Sequence, residues 1–584
     1  MFKISAESSA ARRWIVSSVF AAAVLAPAVP AVLPEGAAVL LPAVPVAWAA
    51  PATPSLGALD SGAQLNRARE YMEQQRVAQQ LEEDQERQMA KVESVTQKPE
   101  QSAAQVTFTL SRVDTDPSEI LTEAEITNIT DPYLGKTVSL QDLYVMTAAI
   151  NRLYDEKGYA VCRAYLPPQR IHEGAVQIKL LEGKTGNVTV NGLRFTRKGY
   201  VTNRIRLEPG KVANTDALND ELQRFNAMND VQLRILVHAG TQPGTTDYEI
   251  AAFEPKSNHT VSLYADNNGY DTSGRWRGGV FYTMRSLTGQ RDALRLNYLR
   301  SKGTNIFGAN YSMPVNNRGT MLDFDYGANT TEIIKGNLES LGVKGHAYAA
   351  GITLRHPLRV DEKHRDEIGF QFLHQNSQTD IGTKSNSYVK WVNDTRNTCI
   401  PYISFTHYGT SSVLYHKHSL AFTGFNNLYN TADNYAAYRL DALYQKRLKS
   451  GQMLSGRLNA QVASENKNIS SSDFFYIGGA NSVRGYEESF LSGSQGFTAS
   501  LTWMTPLDKK RIFNAFTFVD YGRVFGDEGT TVDHTLVSTG LGFTAGYKNL
   551  YSSLTLGIPL KRDFKSQAEK VDKTRIHFNC SVTF

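Results

Sequence analysis

The last eleven residues constrain the fold of this chain more than any other stretch. An extended strand there would carry apolar side chains on one face and polar or charged side chains on the other. The first face holds Thr574, Ile576, Phe578, Cys580, Val582 and Phe584, and the second holds Arg575, His577, Asn579, Ser581 and Thr583. A strand that ends on Phe and has one apolar face fits a barrel with lipid outside and water inside.

The same alternation recurs, with less regularity, across residues 256–584. It is visible at residues 276–284, 294–298 and 454–462, and turn-forming clusters at 301–303, 315–319, 449–451 and 527–529 separate such runs. With membrane strands of about ten residues, this region has room for about 16 antiparallel strands. A soluble sandwich or propeller is the alternative. The terminal Phe584, the aromatic alternation and the export signal described next favour the membrane barrel.

The N-terminus reads as a secretory signal. Basic residues precede an apolar run at 14–25, and Ala47-Trp48-Ala49 is a small-x-small cleavage site. We therefore assign residues 1–49 to a signal peptide, while an earlier cut near Ala28 or Ala31 stays open. Prolines and a glutamate between residues 27 and 35 interrupt the run too early for a membrane anchor. No later stretch has eighteen apolar residues in a row, so an exported chain that spans a membrane would do so as a barrel.

Residues 50–104 predict a polar helix and a linker. The stretch 61–95 is rich in Gln, Glu and Arg and has high helix propensity, but its apolar stripe is thin and broken. Such a helix has no hydrophobic core to join. It is solvated, forms a short coiled coil, or lies in a polar cavity, and the broken stripe weighs against the coiled coil. The Gln, Lys, Pro, Ser and Ala of 96–105 favour a flexible linker.

Two small α/β modules follow, at 105–184 and 185–255. Each reads as β-α-α-β-β. In the first module we expect a capping box at Thr122, a helix from 140 to 157 capped by Ser139, and strands at 160–166 and 175–181. In the second we expect a short helix at 201–207 and a longer one capped by Thr215. Tandem copies leave sheet edges that suit pairing with an extended segment of another protein.

Composition excludes several classes of function. The net charge of +5 gives no basic excess for nucleic acid. Three widely spaced cysteines exclude a disulfide framework and the usual zinc spacings, and pairing of Cys399 with Cys580 stays open. There is no phosphate-binding G-x-x-x-x-G-K-[ST] motif and no G-x-S-x-G elbow. We expect no enzyme, no cofactor and no metal.

One glycine-rich stretch between two predicted barrel strands is a candidate site. Residues 478–486 read Gly-Gly-Ala-Asn-Ser-Val-Arg-Gly-Tyr. Taken alone they favour an ordinary surface loop, because glycine supplies positive φ and arginine is commonly exposed.

Together these features resemble the outer-membrane transporters of two-partner secretion, the hemolysin and filamentous-hemagglutinin type. The resemblance covers essentially the whole mature chain. The matching pieces are Asp131-Pro132-Tyr133-Leu134-Gly135-Lys136, Leu153-Tyr154 with Gly158-Tyr159, Ala164-Tyr165-Leu166-Pro167-Pro168-Gln169, Leu180-Leu181-Glu182-Gly183, the glycine-rich stretch with Val483-Arg484-Gly485-Tyr486, Phe518-Val519-Asp520-Tyr521-Gly522, and the final Phe584. The two modules correspond to the family's POTRA domains and the polar helix to its plug helix.

The resemblance implies a function. The chain would be an outer-membrane pore, with POTRA modules in the periplasm, that exports and so activates one large adhesin- or hemolysin-type partner protein. The POTRA modules would capture that partner unfolded, and the plug helix would fill the resting lumen. Barrel-assembly machinery would read Phe584, and outer-membrane lipid would surround the barrel. Neither the identity of the partner nor the oligomeric state follows from the sequence.

The resemblance also implies a role for the glycine-rich stretch. Its loop would fold back into the lumen, where Arg484 would meet Asp520 on an inner wall. Alternation then requires Phe516 and Phe518 to face inwards with Asp520. In a wet lumen this contact would contribute about 1 kcal/mol unless it is desolvated, and it would set the loop position without any catalytic role.

Three alternatives to the transporter differ in class. A barrel-assembly factor of the same superfamily would usually carry more POTRA modules and no plug helix. Tandem modules disfavour a passive porin or ligand-gated receptor. An enzyme fused to a barrel lacks a nucleophile motif here. His416 and His418, the one close histidine pair, are expected in a loop or in the lumen.

Overall fold

The structure is a computed structural model of the 584-residue chain. It describes residues 59–89, 107–336, 338–382, 388–427, 432–464, 469–525, 534–564 and 571–584. The predicted signal peptide at 1–49 and the predicted linker at 96–105 lie outside the described residues. Among the described residues, no helix is both long enough and apolar enough to cross a membrane.

A single long helix, α1 (Ser61–Met89), comes first. At about 1.5 Å per residue its 29 residues extend about 43 Å. The predicted helix continued to residue 95, and residues 90–95 lie outside the described residues.

The first module contains more strands than the sequence analysis predicted. Its elements are β1 (Thr107–Thr109), β2 (Arg112–Thr115), α2 (Glu123–Thr130), β3 (Thr137–Ser139), α3 (Leu140–Glu156), β4 (Arg163–Tyr165) and β5 (Ala175–Leu181). The order β2-β5-β4 forms one sheet, and β1 pairs with β3. The strand predicted at 160–166 shortens to β4, because Tyr159 and Cys162 make a turn in which the Cys162 N–H bonds the Tyr159 carbonyl.

Capping boxes begin both helices of the first module. Thr122 and Glu125 form one and Ser139 and Asp142 form the other, as the sequence predicted for Thr122 and for the Ser139 cap. The Lys157 ammonium donates to the Glu125 carboxylate at 2.7 Å, and this bond, with those from Thr122, lowers the pKa of Glu125 to about 2.

The second module contains β6 (Lys184–Asn191), α4 (Lys198–Thr202), α5 (Thr215–Met228), β7 (Gln232–Ala239) and β8 (Thr245–Phe253), with sheet order β6-β8-β7. The short helix lies before the predicted 201–207. Thr215 was the wrong cap, because Asn214 accepts the Ala217 N–H. Thr215 instead donates its hydroxyl to the Gly158 carbonyl at 2.7 Å and so joins the two modules.

Sixteen strands in the described part of the chain close into an antiparallel barrel, which confirms the predicted fold class. They are β9 (His259–Asp266), β10 (Arg277–Arg285), β11 (Ala293–Arg300), β12 (Thr304–Pro314), β13 (Met321–Glu332), β14 (Lys344–Val360), β15 (His364–Ile381), β16 (Val389–Tyr408), β17 (Ser412–Asn426), β18 (Ala432–Arg447), β19 (Met453–Ala463), β22 (Gln495–Pro506), β23 (Phe513–Phe525), β24 (Thr535–Tyr547), β25 (Leu550–Pro559) and β26 (Arg575–Thr583). A small ribbon of β20 (Phe475–Ile477) and β21 (Leu491–Gly493) lies between β19 and β22.

The barrel closes where β26 pairs with β9, from Asn579–Asp266 to Thr583–Ser262. Short turns connect the strands at the end near the modules, which we call the near end, and most of the connections at the opposite, far end are longer. The second module contacts the near end, where the Arg197 N–H bonds the Gly289 carbonyl at 2.8 Å.

Side chains alternate across the barrel wall as the sequence predicted. On β26, Arg575 and His577 are buried towards the lumen while Ile576 is half exposed on the outside. The prediction that His416 and His418 lie in a loop or in the lumen was wrong. Both are on β17, where the odd-numbered Val413 and Ser419 are buried inwards, so the two even-numbered histidines face outwards. Cys399 on β16 and Cys580 on β26 also face outwards. They lie eight strands apart around the barrel, and both are free thiols, so they do not pair with each other.

Candidate functional site: a loop and a helix inside the barrel

The β20–β21 ribbon carries residues 478–490 into the barrel. Gly478, Gly479 and Gly485 have φ values of 107°, 101° and 96°, which side chains other than glycine rarely adopt. Val483 and Tyr486 are fully buried. They pack in a hydrophobic cluster with Ile477, Leu491, Val524, Leu536 and Phe564. The stretch that read alone as a surface loop is therefore packed inside the barrel.

Arg484 at the tip of this loop contacts Asp520 on β23. The guanidinium donates from Nε to Asp520 Oδ2 at 2.8 Å and from a terminal nitrogen to Oδ1 at 2.7 Å. The Arg484 backbone N–H donates to the same Oδ2 at 3.0 Å. Asp520 has no solvent exposure, and the Arg484 side chain is 14% exposed. The ion pair is thus bidentate and desolvated. The contribution of about 1 kcal/mol expected from the sequence holds for an ion pair in contact with water, so it does not apply to this one.

Three further wall residues hold the guanidinium. Ser500 and Thr502 on β22 accept from its terminal nitrogen at 3.0 and 3.2 Å. The Phe518 ring lies beneath it, with 3.5 Å from the guanidinium carbon to the ring centroid. This is close cation–π geometry. Arg484 is held on three sides by two neighbouring strands and is an anchor for the loop tip.

The inward-facing rings of Phe516 and Phe518 fit because the neighbouring strand has glycines opposite them. A Cβ on Gly540 would lie 2.6 Å from the Phe518 ring, and one on Gly542 would lie 2.3 Å from the Phe516 ring. The rings occupy space that a side chain at Gly540 or Gly542 would otherwise fill. Two large rings therefore share a barrel face with a buried carboxylate.

The backbone at Gly485 packs closely against β25, two strands from the Asp520 strand. A Cβ on Gly557 of β25 would lie 2.4 Å from the Gly485 nitrogen, so the two chains approach with no room for a side chain. The Gly485 N–H donates to His577 Nε2 at 3.2 Å. The Tyr486 hydroxyl bonds the carbonyls of Val537 and Lys561 at 2.9 and 2.8 Å. Gly522, predicted as part of the wall motif, lies against Val483. The loop tip is thereby fixed to five consecutive strands.

Helix α1 runs through the lumen from the far end to the near end. At its start, Ser61 contacts Ser377 with 3.3 Å between the hydroxyl oxygens, and Leu65 is buried against Ala347 and Ala349. At its other end, Asp84 accepts from the Tyr408 hydroxyl at 2.7 Å. Its polar composition is matched by polar wall residues along the way, for example Arg457, which donates to Gln74 at 2.7 Å.

Asp60, just before the helix, joins three separate segments. One carboxylate oxygen accepts from the Gly62 N–H at 2.7 Å and from the Ser377 hydroxyl on β15 at 3.0 Å. The other accepts from the hydroxyls of Ser471 and Ser472, the latter at 2.9 Å. Ser471 and Ser472 form the turn from which the long loop starts. Asp60 therefore caps the helix and ties it to both the wall and the loop.

Charged groups fill the middle of the lumen. Glu73 and Arg76 of the helix form a bidentate pair at 2.7 Å, and Lys417 of the wall lies 4.0 Å from Glu73. The pocket between this helix segment and the wall is lined by charged and polar side chains of both, including Glu73, Arg76, Arg365, Tyr402 and Lys417. Helix and wall side chains therefore meet in the middle of the lumen.

Comparison with known proteins identifies this architecture. Residues 244–545 match the haemolysin secretion/activation protein family ShlB/FhaC/HecB, and residues 108–183 match the ShlB-type POTRA domain. The chain belongs to this family. It is an outer-membrane transporter of two-partner secretion, with its POTRA modules in the periplasm. These matches confirm the resemblance, the localisation and the transport function predicted from the sequence.

Individual relatives support the same conclusion. Heme/hemopexin transporter protein HuxB of Haemophilus influenzae is 26% identical over 510 residues, which cover 82% of this chain and 87% of HuxB. Outer membrane transporter CdiB of Dickeya dadantii is 25% identical over 187 residues, or 32% of each chain. The solved structure of CdiB from Escherichia coli has the same fold, with a TM-score of 0.66 and 18% identity over 91% of this chain and 100% of that one.

Phe584 ends the barrel at the near end of this transporter. Its backbone pairs with Val261 through two hydrogen bonds of 2.8 and 3.1 Å, while 67% of the residue remains exposed. The ring therefore contributes little to packing of the folded barrel and is available to other molecules.

Sequence reasoning missed several residues of this site. Asp60, Ser500, Thr502, His577 and Gly557 were not singled out, although His577 was placed on the polar face of the last strand. Only alternation along each strand could have marked Ser500 and Thr502 as inward-facing. No pattern in the sequence indicates that Asp60 meets a turn more than four hundred residues away.

Proposed function

We propose that this transporter exports one large secreted protein through the barrel, and that helix α1 has to leave the lumen first. The observation that carries the proposal is the course of the helix through the lumen, with wall contacts at Ser61, Gln74 and Asp84. An extended chain with side chains is about 10 Å wide, so cargo and helix cannot occupy the same section together. Apart from the apolar contacts of Leu65 and Leu81, the helix contacts described above are polar, which suits a segment that leaves into water.

The two POTRA modules would capture the partner before export. In the second module β7 lies at the edge of its sheet and exposes Leu236 and Val237 at 46% and 49%. An edge strand with apolar side chains can pair with an extended segment through main-chain hydrogen bonds. The hydroxyl of Thr215 bonded to Gly158 holds the modules together, so both would present their edges in a fixed relation.

The cargo that we propose to test first is a heme- or hemopexin-binding exoprotein. HuxB, named for heme and hemopexin transport, aligns over 87% of its length, whereas the CdiB relative aligns over 32%. A contact-dependent toxin or a haemolysin would be the other cargo classes in such a test.

The loop with Val483, Arg484, Gly485 and Tyr486 would set the working shape of the pore. Its anchor on Phe518, Asp520 and Gly522 supports a positioning role, because every contact of Arg484 is with the wall and none resembles a catalytic arrangement. During biogenesis the exposed ring of Phe584 would be read by barrel-assembly machinery, and outer-membrane lipid would cover the apolar outer face. No cofactor, metal or nucleic acid enters this scheme.

A reversible crosslink between helix and wall tests the proposal. Ser61 Oγ and Ser377 Oγ lie 3.3 Å apart, so the double variant Ser61→Cys/Ser377→Cys places two thiols within reach of a disulfide. Cys399→Ser and Cys580→Ser remove the partly exposed native thiols, and Cys162 is buried. Periplasmic oxidation should form the bond. We expect export of the co-expressed partner to stop and to recover on reduction.

The single variants Ser61→Cys and Ser377→Cys are the matched controls and should export normally under both conditions. Full export by the oxidised double variant, with the crosslink verified by electrophoresis, would contradict the requirement that the helix leaves.

A further inference from the structure

A groove on the outer face of the barrel lies beside the β26–β9 closure, at the far end. Its volume is about 410 Å³, within the range of roughly 300 to 1,000 Å³ typical of small-ligand sites. It is lined by Asn267, Arg275, Trp276, Leu554, Ile576 and Phe578. Ile576 and Phe578 point outwards because their neighbours Arg575 and His577 are buried in the lumen. The groove therefore opens towards the membrane.

The groove exists because two paired strands differ in extent. The β26–β9 ladder stops at Asn579–Asp266, while β26 continues to Arg575. Above that point side chains replace the missing strand. Asn267 Oδ1 accepts the Phe578 N–H at 2.8 Å, and Asn267 Nδ2 donates to the Ile576 carbonyl at 2.9 Å. These bonds satisfy backbone groups that lipid could not, and they leave open the space that a strand would fill.

Arg275 gives the groove a positive charge. One terminal nitrogen donates to the Ile576 carbonyl at 3.0 Å. Its Nε is buried and has no hydrogen-bond partner. Among the described residues no carboxylate lies within ion-pairing distance of the guanidinium. A buried guanidinium nitrogen without a partner is costly, and a planar fork of donors fits a phosphate.

We propose that this groove binds a phosphorylated, acylated glycolipid of the outer leaflet. The phosphate would contact Arg275, and one acyl chain would lie against Trp276, Ile576 and Phe578. The groove is at the end opposite the periplasmic modules, so it meets the outer leaflet of the membrane. The phosphates of a glycolipid in that leaflet would supply the counter-charge for the Arg275 guanidinium. The bound chain would cover the part of β26 that lacks β9 as a neighbour. This inference rests on the barrel and its orientation, and its failure would leave the proposed export mechanism untouched.

Binding to the purified full-length chain tests the proposal. The chain is delipidated in mild detergent and incubated with hexa-acylated bisphosphorylated lipopolysaccharide, and bound lipid is counted by native mass spectrometry. We expect one tightly bound molecule, and at least a tenfold weaker affinity for Arg275→Ala. Arg300→Ala is the matched control, because Arg300 is an exposed arginine that also faces outwards at the far end of its strand, and it should bind like the wild type.

Two further arms identify the ligand. Dephosphorylated lipopolysaccharide and phosphatidylglycerol should each bind at least tenfold more weakly than the bisphosphorylated glycolipid. Equal loss in Arg275→Ala and Arg300→Ala, equal binding of the dephosphorylated form, or equal binding of phosphatidylglycerol would overturn the proposal. Should Arg275→Ala fail to fold, as judged by heat-modifiable migration, Trp276→Ala takes its place. Trp276 is 64% exposed, so its removal should weaken binding without affecting folding.

Discussion

Replacing Arg484 with alanine should undock the long loop while the barrel stays folded. The side chain donates two bonds to a fully buried carboxylate, and its removal leaves Asp520 without its counter-charge. Breaking a buried pair from one side typically costs about 3 to 5 kcal/mol. Asp520 would keep its bond from the Ser500 hydroxyl at 2.7 Å and from the Arg484 backbone, so we take the lower value of about 3 kcal/mol.

That energy changes the equilibrium between docked and undocked loop by about a hundredfold. A cysteine at position 483 reports this equilibrium: the side chain there has no solvent exposure, so an introduced thiol would react only when the loop opens. In a background with Cys399→Ser and Cys580→Ser, the labelling rate of Val483→Cys with a maleimide should rise by about that factor when Arg484→Ala is added. Export should be lost, with normal barrel insertion.

Two companion variants separate the ion pair from general damage. Arg484→Lys keeps the charge but cannot form the bidentate fork, so its labelling should be intermediate. Arg484→Ala/Asp520→Ala removes both charges and should open the loop less than the sum of the single effects, because no unpaired charge stays buried. Labelling of Arg484→Ala at the wild-type rate, or strict additivity in the double variant, would refute the argument.

Three other changes give sharp outcomes. Gly557→Ala should displace the loop tip and reduce export, because its Cβ would lie 2.4 Å from the Gly485 nitrogen, whereas Gly546→Ala, with nothing within 4 Å, should export normally. Asp60→Ala should raise the single-channel current in planar bilayers because it releases the start of the helix, and deletion of residues 61–95 should do the same. Gln75→Ala, at an exposed position of the same helix, is the control. A current of Asp60→Ala equal to that of Gln75→Ala would exclude a role of Asp60 in holding the helix. Phe584→Ala should lower the amount of assembled barrel but leave its thermal unfolding unchanged, since the residue is 67% exposed; a lower unfolding temperature would instead indicate a packing role.

The fold could be predicted from the sequence because outward apolar and inward polar side chains alternate residue by residue along a barrel strand, and this pattern is visible in the sequence itself. The alternation of polar Arg575 and His577 with apolar Ile576 and Phe578 already indicates which face of the strand meets lipid. Strand length was harder: β14, β15 and β16 have 17, 18 and 20 residues, longer than the roughly ten that crossing a membrane requires. Beyond the membrane the selection for alternation weakens, and the sequence no longer marks where such strands end.

The site was only partly predictable, and the reason is register. Placing Asp520 inwards followed from alternation, and the family resemblance supplied its meeting with Arg484. That Gly540 and Gly542 make room for two rings follows only from the pairing of β23 with β24, in which Phe518 faces Gly540 and Phe516 faces Gly542. Burial of the ion pair, and hence an energy of about 3 rather than about 1 kcal/mol, likewise depends on what surrounds it.

The long loop has two anchors of different kinds, and this arrangement separates gating from positioning. Its root, the turn Ser471–Asp473, is bonded to the helix through Asp60 and to the wall through Arg396, whose guanidinium lies 2.7 Å from Asp473. Its tip is bonded to β22–β26, and none of the tip contacts described above for Arg484, Gly485 and Tyr486 involves the helix. When the helix leaves, the root loses the Asp60 acceptor while the tip keeps its full set of contacts. Helix exit should therefore widen the lumen beside the root and leave the loop tip in place, so that an Asp60 variant opens the pore and an Arg484 variant disables it.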